Sequence, residues 1–389
     1  MKLEGVKVLD LSAFLPGPYV TMLMADHGAD VVMVEPANGT GEPTRHIGVR
    51  DEDGTSVWFR NVARGKRSLK IDLKDAGGLG LFRRLVDAAD VLVEAFRPGV
   101  VDRLGIGPEA MRARNPALVY CSISAFGQAG PLRDRPAHDL AIQALAGTVD
   151  LNRGRTDGEP TWPGVPAADM AGSLMALSGI LMALYRREGT GRGDFVDMSM
   201  YDALLSWTPN VSGGVLARGE PPEPQQMRSF GGQAMNGIYR TRDDGFVVLG
   251  GAEVKFARNL LEMLGRPDLL PLAAEEPGAA QAPLRDFLAA AFASRDEAHW
   301  REALSGIDVC WAPVNTLADA LLGEHASARG VVVADEEGRR HVATPVRYAD
   351  EPGRLDPRLP GYGEHSAEIA REAGLDAEAV RALRDRGVI

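Results

Sequence analysis

Residues 6–35 read VKVLDLSAFLPGPYVTMLMADHGADVVMVE, and the fold class follows from their pattern. Val6–Leu11 is a short apolar run of strand length, PGPYVTMLMADHGAD is a turn followed by a helix, and ADVVMVE is a second strand. Strand, helix and strand in that order predict a parallel sheet covered by helices. The pattern continues with a helix over Gly78–Ala88, a strand at ADVLVEAF (89–96) and another at Leu118–Ser124. The loop after the first strand is Leu15-Pro16-Gly17-Pro18 and lacks G-x-G-x-x-G, which argues against nicotinamide binding and so against an oxidoreductase of that kind. No G-x-x-x-x-G-K-[ST] occurs either, so a P-loop nucleotide enzyme is not expected.

The composition narrows the class further. A chain of 389 residues with 45% hydrophobic and 25% charged residues predicts two soluble domains. A net charge of −11 argues against a nucleic-acid binder, although a local basic patch would still hold a phosphorylated ligand. Cys121 and Cys310 are too few for a disulfide framework or a cysteine-ligated metal, and no metal is expected. A reducing cytosol fits that cysteine usage. The opening MKLEGVKVLDLS has no signal-peptide core, and no uninterrupted apolar run is long enough to span a membrane.

Basic residues gather in two loops. Arg64, Lys66, Arg67 and Lys70 crowd into NVARGKRSLKIDLKD, and Arg97 and Arg103 lie in FRPGVVDRLG. They read either as solvated turns or as a grip on one anion beyond the strand ends. After the helix YDALLSW, Gly219–Gln226 (GEPPEPQQ) reads as a linker. A hairpin with a D-D-G turn at Asp243–Gly245 then opens a second domain, with helices over Lys255–Leu264 and Pro283–Leu304 and a strand at Val309–Pro313. His325–Gly330 starts another strand-rich piece, and two short amphipathic helices end the chain.

Two stretches carry the chemistry. RPAHDLAIQALAG (135–147) presents His138 and Asp139 where a helix starts, and Asp169 opens a second helix within PGVPAADMAGSLMALSGILMALYRREGTGRGDFVDMSM (163–200). Met170, Leu174, Met175, Leu177, Ile180, Leu181, Met182 and Leu184 cover nearly all of that helix, which predicts burial. Asp169 itself reads as an N-cap or as a catalytic carboxylate on the first turn, and the two are compatible.

The series LSAFLPGPYVTMLMADHGADVVMVEP, RGKRSLKIDLK, ADVLVEAFRPGVVDRLG, GQAGP, ADMAG, GTGRGDFVDMSMYDALL, VCWAPVNTL, HASARG and GYGEHSAEI resembles the class III (CaiB/BaiF) CoA-transferase family over essentially the full length. That family includes formyl-CoA and carnitine CoA-transferases and α-methylacyl-CoA racemases. The resemblance implies an α/β protein with a Rossmann-like large domain built from both chain ends and a smaller α+β middle domain. The implied divisions are 1–218 for the large domain, 219–228 for a linker, 229–325 for the small domain and 326–389 for the return. It also implies an interlocked homodimer and a coenzyme A thioester as substrate, with neither nicotinamide nor metal.

By resemblance, Asp169 matches the transferase nucleophile, which passes through a mixed anhydride and an aspartyl-CoA thioester. Its helix N-terminus would keep it ionised and offer N–H groups to the oxyanion. The racemase branch pairs the same aspartate with a histidine, here His138, oriented by a glutamate, here Glu253. Against that branch, racemases show G-H-D-I-N-Y where this chain has AHDLAIQALAG, and D-F-G-G-G where it has DMAGS. Gly231, Gly232 and Gln233 resemble part of the transferase lid, without its full glycine run. The balance falls to a CoA-transferase, with a 2-methylacyl-CoA racemase as the alternative and a non-catalytic CoA-binding subunit as a third reading. Pro16, Lys66, Arg67, Ile71, Phe96, Arg97 and Arg103 are the candidate coenzyme A contacts. Pro36 stands where the family often has an arginine.

Overall fold

The computed structural model describes residues 1–154 and 157–389, which fall into two compact units. The first takes Met1–Val149, Trp162–Trp207 and Ser327–Ile389; the second takes Asp150–Thr161 and Thr208–Ala326. The second unit thus starts ahead of the proline-rich stretch at 219–226, and it includes an early excursion at 150–161 that the sequence reading did not separate.

In the first unit six strands form one sheet: β1 Lys7–Leu11, β2 Asp30–Pro36, β3 Arg67–Ile71, β4 Val91–Glu94, β5 Val119–Ser124 and β6 Phe195–Ser199. Their order is β3-β2-β1-β4-β5-β6 and every pair is parallel. That is the order of doubly wound sheets, in which ligands bind beyond the carboxyl ends of the strands where the order reverses, here between β1 and β4. Strand side chains alternate between two covered faces, so apolar residues dominate the strands on both sides, with buried polar groups such as Asp10 and Glu94 near their carboxyl ends. Leu9, Val32, Leu92 and Tyr120 face the helices Ala76–Ala88, Ser366–Glu372 and Ala377–Asp385, whose Phe82, Ile369 and Leu383 complete that core. Val8, Val31, Val93 and Cys121 face the other way, onto Val20 and Met24 of the helix Pro16–Asp26 and onto Ala171, Ala176 and Ile180 of the helix Ala167–Thr190.

The long helix is not buried all round. Its Ala168, Ala171, Ala176, Ile180 and Leu184 pack into the core, whereas Leu174, Met175, Leu181, Met182 and Tyr185 are exposed. By length and mean hydropathy, 1.6, this helix is apolar enough to cross a membrane, although its inner face is packed against the sheet. The apolar surplus noted in the sequence is therefore an outward stripe.

The second unit holds a three-stranded antiparallel sheet of β7 Asn236–Arg240, β8 Phe246–Gly250 and β9 Trp311–Pro313. Its hairpin turns through Asp244 at φ 63°, a left-handed position that aspartate tolerates. Leu260, Leu284, Leu288, Phe292, Trp300 and Leu304, from the helices Val254–Met263, Ala282–Ala293 and Glu297–Ser305, close its core. A further antiparallel pair, β10 Val332–Ala334 with β11 Arg340–Val342, belongs to the first unit.

Candidate active site

The site grows from the turn that leaves β1. Asp10, at the end of that strand, is buried; its carboxylate accepts hydrogen bonds from the Ser12 backbone N–H (3.0 Å), the Ser12 hydroxyl, the Thr21 hydroxyl (2.5 Å) and the Lys66 ammonium (3.0 Å). Lys66 also donates to the Pro18 carbonyl (2.9 Å) and the Thr21 hydroxyl (2.7 Å), so its three N–H groups are all engaged inside the protein. This corrects the expected phosphate contact at Lys66: the ammonium is a buried strut under the Pro16–Pro18 turn. Arg67, the first residue of β3, turns its guanidinium to Asp30 (2.7 Å), Glu368 (3.2 Å) and Glu372 (2.8 Å) at the amino end of the strands. It therefore lies at the edge opposite the one where a ligand is expected. Arg64 is likewise engaged, with Asp26 at 2.8 Å.

The turn above this strut receives the long helix. The Ser173 hydroxyl donates to the Pro16 carbonyl (2.9 Å) and to the Asp169 carbonyl (2.7 Å), pinning the first turn of the helix against Pro16. Gly17 sits so close that a Cβ there would overlap the Ser12 side chain, so glycine is required. The helix starts at Ala167 after Pro166, and Asp169 is its third residue. Asp169 is thus not the N-cap that the sequence allowed, and Pro166 makes no side-chain cap bond. The cap comes from another element: the Asp139 carboxylate accepts the backbone N–H groups of Ala168 (2.8 Å) and Asp169 (3.1 Å). Its other oxygen accepts from the amide of buried Gln143 (2.6 Å), which also donates to the Val165 carbonyl (3.3 Å).

Asp169 is half-buried, and its carboxylate has no hydrogen bond or ion pair among the described residues. Burial first, and the nearby Asp139 charge second, push its pKa up to about 7. The two backbone N–H groups expected to serve an oxyanion are already held by Asp139.

His138 immediately precedes Asp139, at the start of the helix Asp139–Leu145, and is exposed. Its ring meets Phe14 edge to face, with centroids 6.0 Å apart. Phe14 adopts φ 65°, unusual for a bulky residue, and its N–H is held by the buried Glu42 carboxylate at 2.9 Å. Glu253 belongs to the second unit, where it precedes the helix Val254–Met263 as an exposed residue without a cap bond. Gly231 and Gly232 lie in an irregular turn of that unit, Gly231 at φ 92°, and the Arg285 guanidinium donates to both carbonyls (3.2 and 3.0 Å). Gln233 follows in extended conformation.

Beyond the carboxyl ends of β1 to β4 lies a crevice of about 480 Å³, lined by Ser12, Glu35, Asn38, Glu42, Ile71 and Phe96 among others. It also takes in Lys74, a basic residue that the sequence reading had not singled out. Pro36 closes β2 at its wall, and Arg45 of the following loop is held by Glu35 at 2.7 Å. Arg97 and Arg103 are exposed and enter no ion pair among the described residues. Under the crevice, Glu94 ends β4 fully buried; burial pushes its carboxyl up to about 7, and it accepts from the Ser122 hydroxyl and the Phe96 N–H (2.8 Å). A separate apolar cavity of about 820 Å³ reaches Met170, which follows Asp169 in the chain, together with Tyr19, Met22, Trp58 and Val62. Among the described residues no group of three or more His, Cys, Asp or Glu side chains is arranged to hold a metal ion.

The sequence does not single out Phe14, Glu42 or Lys74, and it presents Asp139 only as the neighbour of His138, without its contact to the Asp169 turn. Asp139 had a signal, its place beside His138; Glu42 lies in a polar loop that offers none.

The family model described as CoA-transferase family III matches residues 3–366. The chain is 34% identical to human alpha-methylacyl-CoA racemase, over 100% of this chain and 98% of that protein. It is also 34% identical to the acetyl-CoA:oxalate CoA-transferase of Acetobacter aceti, covering 95% of each. The succinyl-CoA--D-citramalate CoA-transferase of Chloroflexus aurantiacus is 32% identical, over 100% of this chain and 98% of that protein. Among solved structures, a CAIB/BAIF family protein from Brucella suis superposes with a TM-score of 0.81 at 32% identity, covering 95% of this chain and 99% of that one.

Proposed function

Because this chain belongs to CoA-transferase family III, we propose that it moves coenzyme A from an acyl-CoA thioester to a carboxylic acid through an aspartyl-CoA intermediate on Asp169. The observation that carries this reading is Asp169 itself: a half-buried carboxylate on a pinned helical turn with no partner of its own among the described residues. In the ionised form its oxygen attacks the thioester carbonyl; the C–S bond breaks, giving a mixed anhydride and CoA thiolate. The thiolate attacks the aspartyl carbonyl, which forms the aspartyl-CoA thioester and frees the donor acid. The acceptor carboxylate then attacks that thioester, and the returning thiolate attacks the acceptor's carbonyl, releasing the new acyl-CoA and Asp169.

The crevice at the carboxyl ends of β1 to β4 is the proposed seat of the nucleotide part of coenzyme A, with Ile71 and Phe96 as wall, Lys74 in its lining, and Pro16, Arg97 and Arg103 proposed as further contacts, the arginines toward its phosphates. The apolar cavity beside Met170 favours a donor or acceptor with apolar bulk. Gly231, Gly232 and Gln233 are proposed as a cover that keeps water from the anhydride and thioester. The outward apolar stripe on the helix Ala167–Thr190 supports a homodimer, which we propose to be interlocked, and the two cysteines fit a reducing cytosol.

One observation favours a second reading, racemisation of a 2-methylacyl-CoA. His138 is joined through the adjacent Asp139 to the Asp169 turn, and an Asp169 pKa of about 7 suits reversible proton transfer. Intact-protein mass spectrometry with a panel of acyl-CoAs separates the two. A CoA-sized covalent adduct on the wild type, absent from Asp169→Asn, is the expected result. No adduct with any donor, together with deuterium uptake at the α-carbon of a 2-methylacyl-CoA, would establish the racemase reading instead.

A further inference from the structure

We infer that Asp139 is the positioning residue of this site: its carboxylate fixes the helical turn that carries Asp169 and ties that turn to the start of the helix that His138 precedes. This rests on the reading of Asp169 as the reactive carboxylate. The geometry is specific. Asp139 Oδ1 takes the N–H groups of Ala168 and Asp169, while Oδ2 is held by Gln143, whose amide also reaches Val165 in the approach to the helix. The turn therefore cannot shift without breaking bonds to the helix that begins next to His138. The long helix supplies no capping side chain of its own, so these are the N–H groups a free helix N-terminus would otherwise leave for an anion.

An acidic cap at this place has an electrostatic consequence. It consumes the N–H groups that would have steadied an Asp169 carboxylate and adds a like charge beside it. The titratable groups on the elements packed against the Asp169 helix are Tyr19 and Asp26, Tyr120 and Cys121, Asp139, Asp197, and Tyr201 and Asp202. Asp26 is paired with Arg64, and Asp139 is the charge that bears on Asp169. Burial first and the Asp139 charge second thus hold the reactive carboxylate near half-ionisation at neutral pH, poised between nucleophile or base and acid.

The test uses full-length protein labelled with [¹³Cγ]aspartate, the Asp169 resonance being identified by its loss in Asp169→Asn. In Asp139→Asn the side-chain oxygen still accepts the two N–H groups while the charge is gone, so the Asp169 midpoint should fall by about one unit. The acidic limb of the pH–rate profile for kcat/KM, in either reaction, should fall with it. Asp139→Ala removes the cap as well; it should lower kcat more than Asp139→Asn does, with KM for the acyl-CoA little changed. An Asp169 midpoint that stays at its wild-type value in Asp139→Asn overturns the proposal. Because the carbon titration needs no turnover, a moved midpoint supports the positioning role even if no thioester proves to be a substrate, which would count against the functional reading alone.

Discussion

Asp169→Asn replaces an ionisable oxygen with an amide of nearly the same shape, so it removes nucleophile and base together. Activity should fall below detection in either reaction, a loss of at least about 10³-fold on the scale of catalytic nucleophiles. His138→Ala should abolish α-proton exchange while only weakening coenzyme A transfer; steady-state assays of both reactions on the two variants check this, and full transfer by Asp169→Asn would remove the assignment. The same substitution also bears on stability. The folded pKa of Asp169, about 7, lies above the unfolded value, so the wild type is penalised as pH rises from about 4 through 7. Asp169→Asn should therefore be more stable than wild type at pH 8, by about 1–2 kcal/mol, and equal to it near pH 4, in urea unfolding at the two pH values. Equal midpoints at pH 8 would mean that the carboxylate is better solvated than its burial indicates. At this scale the sequence singles out His138 and Asp169 as candidates, but not the residues that hold them. The basic run 64–70 reads as a solvated turn or as an anion grip, yet Lys66 lies beneath the β1 turn beside Asp10, a contact between residues far apart in the chain. Asp139 was similarly hidden, because capping rules look within one helix and this cap reaches across two.

The elements themselves were largely written in local periodicity. Strand and helix starts fall within a few residues of their expected positions because apolar runs, turn glycines and prolines act over short range. The long helix is the instructive departure. Its leucines and methionines read as uniformly buried, but the core contacts are made by Ala168, Ala171 and Ala176, which let the backbone approach closely, together with Ile180 and Leu184, and Leu174, Met175, Leu181 and Met182 are left outside. Close approach also explains Gly17 in the turn against which the helix rests. Gly17→Ala would force a Cβ into Ser12 and displace the Pro16 carbonyl that Ser173 holds. It should cost about 1–3 kcal/mol and reduce kcat by about tenfold or more, in denaturant titration paired with an activity assay. Wild-type stability and turnover in this variant would show that the turn yields freely.

For the molecule as a whole, the alternation of strand and helix specified a parallel sheet, and the missing glycine fingerprint removed the commonest ligand of such sheets. The excursion 150–161 was not legible, since its polar, glycine-containing sequence has no period. Assembly is testable at this scale. Leu181, Met182 and Tyr185 expose apolar surface on one face of the long helix, with Met182 at 64% and Tyr185 at 84%. Light scattering should give twice the 41.6 kDa chain mass for the wild type, and the pair Leu181→Arg, Met182→Arg should shift it toward the single mass. A wild type that runs as one chain would sink the dimer.

The tripartite make-up of the first unit has a consequence for biosynthesis. Val380, Leu383, Val388 and Ile389 cover the same face of the sheet as Leu81 and Phe82, and the Asp72 N–H is held by the Val388 carbonyl at 2.9 Å. A ribosome adding about 5–20 residues per second delivers those closing side chains tens of seconds after the strands they cover. Until then the nascent chain carries an open apolar face, with the whole second unit emerging in between. Its window of vulnerability is set by translation rather than by any slow step in folding, and a chaperone that shields growing chains is the natural custodian of that interval.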